Sequence, residues 1–132
     1  MYLRQLDVTG FKCFGEPFTI EFRDGLNVLV GENGAGKTGV ISAVRQLFND
    51  SESGKRIISE RDFYRGFEAG AVAAESIQIE ATFSDLDDQD AIAFESWCGN
   101  HEEAKLTFEA RNQESRGRFR HHMFAGHQDA KH

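Results

Sequence analysis

The fixed positions of the pattern G-x-x-x-x-G-K-[ST] are all matched by eight consecutive residues, Gly31-Glu32-Asn33-Gly34-Ala35-Gly36-Lys37-Thr38. Glycines let a backbone fold so that several N–H groups point inward at a phosphate. Lys37 supplies a positive charge for the terminal phosphates of a nucleotide, and the Thr38 hydroxyl is a typical ligand of Mg²⁺. A chance match is expected at only about 3 in 100,000 starting points. All eight residues are therefore predicted to form a nucleotide-binding loop.

The segments on either side of this loop predict how it is positioned. The short apolar run 26–30, Leu-Asn-Val-Leu-Val, favours a buried central strand that leads into the loop. A helix is predicted to begin near Lys37 and to end near Asn49, because apolar residues recur there at helical spacing. The start of that helix would add unpaired N–H groups and the positive end of its dipole to the phosphate site.

The rest of the chain predicts strands with a few short helical segments. Alternation of apolar and polar residues indicates strands around residues 6–8, 18–22, 77–83, 104–110 and 117–123, with a turn at 112–115. Ser59 is placed to cap a short helical turn containing residues 62–64, and Asp85 or Asp87 to cap a helix reaching Cys98. We expect one α/β domain over residues 1–125 and a tail without pattern over 126–132.

The opening segment Gly10-Phe11-Lys12-Cys13-Phe14, about twenty residues before the phosphate loop, extends the pattern. Together with Gly-x-Asn-Gly-x-Gly-Lys-Thr, it resembles the heads of SMC-like and RecF-like ABC ATPases. The resemblance implies a P-loop NTPase fold of the α/β class. In that fold a mixed sheet surrounds the loop and its helix, and an antiparallel portion follows from residue 75. It also implies ATP and Mg²⁺ as cofactors, Lys12 near the nucleotide, a head-to-head homodimer, and DNA as the partner.

Two later segments narrow the resemblance. Residues 58–64, Ile-Ser-Glu-Arg-Asp-Phe-Tyr, and the strand with its exit at 77–86 are similar to the overcoming-lysogenization-defect (OLD) family. Members of that family join an ABC ATPase head to a C-terminal Toprim nuclease, which implies an ATP-dependent DNA endonuclease with a role in DNA repair or phage defence. Two alternatives stay open: an SMC-like or RecF-like head that organises or repairs DNA without a nuclease, and a fragment that only binds partners.

Several motifs that an ABC ATPase needs are not found in these 132 residues. No apolar run ends in Asp-Glu as a Walker B motif does, and no serine-rich signature segment follows. The chain therefore resembles an N-terminal lobe truncated before the Walker B and signature motifs. We assign no catalytic residue to it, and we expect no measurable ATP hydrolysis by the chain alone, because each missing electrostatic element costs about two orders of magnitude in rate.

Charge is distributed unevenly along the chain. Residues 50–103 carry fourteen acidic and four basic side chains, whereas residues 104–132 carry three acidic and six basic ones. DNA contact is therefore expected outside the acidic middle. Arg116, Arg118 and Arg120 share one face of the last predicted strand at about 7 Å spacing, which makes them candidate DNA contacts; a solvated hairpin face is the alternative.

The sequence contains no 18-residue apolar run and no secretory signal, and two cysteines make neither a metal pair nor a disulfide framework. These features predict a cytoplasmic protein without membrane contact.

Overall fold

The computed structural model describes residues 1–32, 36–48, 58–98, 102–115 and 118–126, with the backbone alone at 114, 115 and 118. Its elements are five strands, two α-helices and two 3₁₀ helices. In chain order they are β1 (Tyr2–Thr9), β2 (Phe18–Glu21), α1 (Lys37–Phe48), the 3₁₀ helix Glu60–Asp62, β3 (Ser76–Ser84), α2 (Asp88–Ala93), the 3₁₀ helix Glu95–Trp97, β4 (Ala104–Ser115) and β5 (Arg118–Ala125).

The five strands form one sheet in the order β2-β1-β3-β4-β5, and each of these pairings is antiparallel. The register aligns Ile20 with Leu6, Leu6 with Ala81, and Ala81 with Leu106. Because side chains alternate along a strand, this alignment gathers the apolar positions of neighbouring strands on one face. The alternation predicted for β1, β3 and β4 is confirmed.

The apolar face of the sheet forms the core together with α1, which packs against β4. Gly39, Val40, Ala43 and Leu47 are the buried residues of α1, at the spacing that puts them on one side of a helix. The predicted helix after the phosphate loop is thereby confirmed. The buried core consists of Leu6, Val8, Phe11, Phe14, Val40, Ala43, Leu47, Ile58, Phe63, Ile77, Ile79, Ala81, Leu106, Phe108 and Ala110.

The opposite face of the sheet is polar and held by cross-strand contacts. Lys105 Nζ lies 3.3 Å from Glu80 Oε1, and the Thr107 hydroxyl donates to Glu80 Oε2 at 3.3 Å. Near the β2 edge, the Thr19 hydroxyl donates to Asp7 Oδ1 at 2.5 Å. The α1 helix lies on the other, apolar face of the sheet, and Gly36 and Lys37 at its start lie on that side.

The apolar run 26–30 is not the buried central strand that its composition predicts. It has no regular secondary structure, and Leu26, Val28 and Val30 are 91%, 71% and 85% exposed. A strand needs a neighbour for its N–H and C=O groups, and no strand among the described ranges pairs with this run. The prediction was wrong for this chain because apolar composition does not supply a partner strand.

Three smaller predictions also differ from the structure. The predicted turn at 112–115 belongs to β4, which stays paired with β5 up to Ser115 after an irregularity in register beyond Ala110. The predicted helix reaching Cys98 is divided into α2 and the 3₁₀ helix Glu95–Trp97. Of the two candidate caps, Asp87 takes the role by accepting from the Asp90 N–H at 2.7 Å. The helical turn after Ser59 ends at Asp62, before residues 63 and 64.

Candidate phosphate-binding site

The structure places the second half of the phosphate loop at the start of α1. Gly36 has a φ of +98°, which residues with a side chain rarely adopt, and its carbonyl accepts the Val40 N–H at 3.0 Å. Gly36 therefore turns the chain into the helix that begins at Lys37. Gly31 and Glu32 are exposed and irregular, whereas the predicted contacts Asn33, Gly34 and Ala35 lie outside the described residues.

The side chain of Lys37 reaches back across the loop. Its ammonium group donates a hydrogen bond to the carbonyl of Gly31, so it links the first residue of the helix to the first residue of the motif. Thr38 is exposed in the first turn, and that turn contains no acidic residue. A helix start with a lysine and without a carboxylate favours an anion, and a hydroxyl beside it suits a hard cation such as Mg²⁺. These residues fit a Mg²⁺-bound nucleotide phosphate.

The segment 10–14 packs directly against this helix start. A Cβ atom built at Gly39 would lie 2.8 Å from Phe14 Cε2 and 3.0 Å from Cys13 Sγ, and at Gly36 it would lie 3.5 Å from Phe14 Cε1. The Phe14 ring is buried and stacks on Phe18 with centroids 4.7 Å apart. The absence of a side chain at Gly39 therefore allows close approach of the segment. Sequence reasoning missed Gly39, although a glycine within an amphipathic helix is itself a signal of close packing.

Lys12 lies in this segment, next to Cys13, but its ammonium is held by a carboxylate that the sequence did not single out. Lys12 Nζ lies 3.1 Å from Asp62 Oδ1, and the Lys12 backbone N–H donates to the Asp62 carbonyl at 2.8 Å. The ammonium also lies 5.5 Å from the centroid of the Phe11 ring. A role for Lys12 at the nucleotide stays a prediction.

The predicted arginine stripe belongs to the edge strand β5 at the far end of the sheet from β2. Arg120 is exposed there, Arg118 is the first residue of the strand, and Arg116 lies outside the described residues. Alternation puts Arg118 and Arg120 on the same face. On that face His122 Nε2 lies 3.1 Å from Glu109 Oε2. Arg118 and Arg120 therefore lie on the strand next to β4, against which α1 packs, and a DNA contact there stays a prediction.

Comparison with known proteins connects this geometry to a family. The family described as AAA ATPase domain matches residues 1–128. The chain belongs to that AAA ATPase family. Membership implies nucleotide binding, generally with Mg²⁺, and agrees with the P-loop fold predicted from the motif.

Sequence relatives of this AAA ATPase chain include chromosome partition proteins. The Smc protein of Bacillus subtilis (strain 168) is 38% identical over 53 residues, which is 40% of this chain and 4% of that protein. The Smc protein of Mycobacterium tuberculosis (strain ATCC 25618 / H37Rv) is 46% identical over 50 residues, which is 38% of this chain and 4% of that protein. The similarity thus spans a small fraction of the length of these relatives.

Solved structures show the same fold. The SMC head domain from Thermotoga maritima aligns with a TM-score of 0.63 at 25% identity, covering 93% of this chain and 37% of that chain. A second structure comes from work on the ATP-driven dimerization and DNA-stimulated activation of SMC ATPases. It aligns with a TM-score of 0.61 at 20% identity, covering 96% of this chain and 71% of that one. The fold of this AAA ATPase chain is therefore that of an SMC-like head, whereas the narrower resemblance to the OLD family stays a prediction.

None of the helices in the described ranges is long and apolar enough to cross a membrane.

Proposed function

We propose that this chain is the nucleotide-binding part of an SMC-like or RecF-like ATPase head that binds ATP and Mg²⁺ at residues 31–38. The observation that carries the proposal is the placement of Lys37, whose ammonium spans the loop to Gly31 at an acid-free helix start. The N–H groups of that helix start and Lys37 would hold the phosphates, and the Thr38 hydroxyl would hold Mg²⁺. Bound Mg²⁺ supplies charge neutralisation on the phosphates.

ATP hydrolysis needs the groups of the Walker B and signature motifs, which these 132 residues do not contain. Transfer of a phosphoryl group to water requires a positioned nucleophile and neutralisation of the transition-state charge, in addition to the phosphate cradle. We propose that these groups come from the remainder of the head and from a second head in a head-to-head homodimer. The similarity to the SMC ATPase studied for ATP-driven dimerization supports this arrangement.

The exposed segment 26–30 fits this arrangement. It leads directly to Gly31, the first residue of the phosphate loop, and the apolar side chains of Leu26, Val28 and Val30 are largely exposed. We infer that this segment pairs as a strand with a complementary part of the ATPase head, which would bury these side chains and satisfy their backbone groups. The predicted central strand would then form on association.

DNA is the proposed partner of the assembled ATPase. The Smc relatives are named for chromosome partition, and the C-terminal part of the present chain carries the exposed Arg120 on an edge strand. Of the three interpretations of the sequence, a DNA-organising ATPase without a nuclease agrees with these relatives. Coupling to an endonuclease, which the OLD resemblance implies, remains a prediction.

The proposed function is tested by replacing Lys37 with alanine. Calorimetry with ATP and Mg²⁺ should show an affinity at least about tenfold weaker than that of the wild-type chain, because a charge-assisted contact to phosphate is lost. Lys105→Ala is the matched control, since it removes the same charge from the opposite face of the sheet, where Lys105 pairs with Glu80. A folded Lys37→Ala variant with unchanged affinity would show that the loop is not the nucleotide site.

A further inference from the structure

Lys12 and Asp62 form an ion pair between two segments that meet beside the phosphate loop. The Lys12 and Asp62 side chains are 39% and 15% exposed, so the lysine is partly exposed and the carboxylate is mostly covered. Cys13, the next residue after Lys12, has its sulfur within contact distance of the Gly39 position in the first turn of α1. Lys12 therefore lies in the segment that packs on the first turn of α1, and Asp62 holds its ammonium.

The backbone at Lys12 is fixed without the help of the ion pair. Its φ is +50°, and its N–H donates to the Asp62 carbonyl at 2.8 Å. The Phe14 N–H donates to the Phe11 carbonyl at 2.9 Å, and both aromatic side chains are buried. The Asp62 carboxylate therefore does not position the Lys12 backbone. It restrains only the ammonium at the end of a flexible four-carbon stem.

The carboxylate of Asp62 is also fixed without Lys12. Its Oδ2 atom accepts hydrogen bonds from the Ser59 N–H at 2.9 Å and from the Ser59 hydroxyl at 3.3 Å. After the departure of Lys12 this carboxylate would still accept the two hydrogen bonds from Ser59, which limits the cost of separating the pair. The lysine can thus exchange one anionic partner for another without disrupting the fold.

We infer that the Asp62 carboxylate competes with a bound nucleotide phosphate for the Lys12 ammonium. When the nucleotide binds, the ammonium moves from the carboxylate to the phosphate. The inference rests on the proposed function, since it requires a phosphate at residues 31–38. Asp62 would then act as a positioning residue that keeps Lys12 beside the site and weakens nucleotide affinity. Removing its charge should tighten ATP binding by about two- to fivefold, the effect expected of one partly exposed ion pair.

The test is a double-mutant cycle measured by ATP-binding calorimetry. Asp62→Asn keeps an oxygen that can accept from Ser59 but removes the charge, and Lys12→Gln removes the ammonium for which the carboxylate and the phosphate compete. We expect Asp62→Asn to tighten ATP binding in the wild-type background and to have no effect when Lys12 is already glutamine. Glu60→Gln is the matched control, because it removes a largely exposed carboxylate from the same 3₁₀ helix, where Glu60 Oε1 lies 4.0 Å from Arg65 Nη2. It should change affinity less than twofold.

The outcomes separate this inference from the proposed function. Equal tightening by Asp62→Asn in both Lys12 backgrounds, or by Glu60→Gln, would mean that only the general electrostatic field matters and would overturn the inference. Unchanged ATP affinity in a folded Asp62→Asn variant would also overturn the inference about Asp62. If ATP binding is still weakened by Lys37→Ala in that case, the proposed function stands. Absence of Lys37-dependent binding would overturn both.

A measurement on the wild-type chain keeps the inference falsifiable if Asp62→Asn fails to fold. In NMR spectra, saturation with ATP and Mg²⁺ should shift the Lys12 ammonium and the Asp62 carboxyl carbon together, because the same pair is broken. A carboxyl carbon of Asp62 that does not move when ATP binds would refute the exchange of partners.

Discussion

Replacement of Gly39 by alanine tests whether the segment 10–14 really packs on the start of α1. In an open helix this change is stabilising by about 1 kcal/mol, because alanine restricts the unfolded chain and favours the helix. Here the added Cβ would lie 2.8 Å from Phe14 Cε2 and 3.0 Å from Cys13 Sγ. The Phe14 ring has little room to retreat, since it is buried and stacked on Phe18.

Overpacking of a buried contact costs about 1–3 kcal/mol, which exceeds the gain in helix propensity. We therefore expect Gly39→Ala to lower the free energy of unfolding by about 1 kcal/mol, measured by urea denaturation with circular dichroism. In a Phe14→Leu background, where the ring edge is gone, the same change should be neutral or stabilising. Stabilisation of the wild-type background by Gly39→Ala would refute the packing of this segment on the helix.

Two further predictions concern the exposed segment and the edge strand. The double variant Val28→Lys/Val30→Lys should change the free energy of unfolding by no more than about 0.5 kcal/mol, as is usual at surface positions. The control Ile79→Ala, which leaves a cavity at a fully buried position, should lower it by about 2–5 kcal/mol. A loss above about 2 kcal/mol in the double variant would mean that the segment is buried. Replacing Arg116, Arg118 and Arg120 by Gln should reduce the slope of log affinity for DNA against log salt concentration by up to about three units. The control Arg23→Gln, just after the opposite edge strand β2, should leave the slope unchanged. An unaltered slope in the triple variant would mean that these arginines are only hydrated surface residues.

The parts of the fold that the sequence predicted are those set by local periodicity. The alternation that places Leu6 beside Val8, and Ile77 beside Ile79, needs only the pleat of a strand, and all four residues are fully buried. The start of α1 at Lys37 was likewise predicted, because a glycine-rich turn followed by apolar residues at helical spacing indicates where a helix begins. Which strands become neighbours was not readable from these patterns, since register depends on the whole sheet.

The unpredicted features depend on residues far apart in the sequence. The pairing of Lys12 with Asp62 spans fifty positions, and the fit of Phe14 against Gly39 spans twenty-five. Neither contact follows from spacing along the chain, because each arises from the way the segment 10–14 is enclosed between α1 and the 3₁₀ helix Glu60–Asp62. The failure at residues 26–30 has the same origin, since a strand is defined by its neighbour.

The phosphate loop is anchored unequally at its two ends. Its C-terminal end continues into α1, which the core holds through Val40, Ala43 and Leu47, whereas its N-terminal end continues from the exposed segment 26–30. If that segment pairs with a complementary part of the head, pairing fixes the carbonyl of Gly31, which accepts the hydrogen bond from Lys37. A ligand that orders the same loop then favours pairing by the same free energy, because coupling between two binding events is reciprocal. On the proposed pairing, nucleotide affinity and assembly of the head would be linked through residues 26–31, whereas Lys37 and Thr38 are already placed by α1 without it.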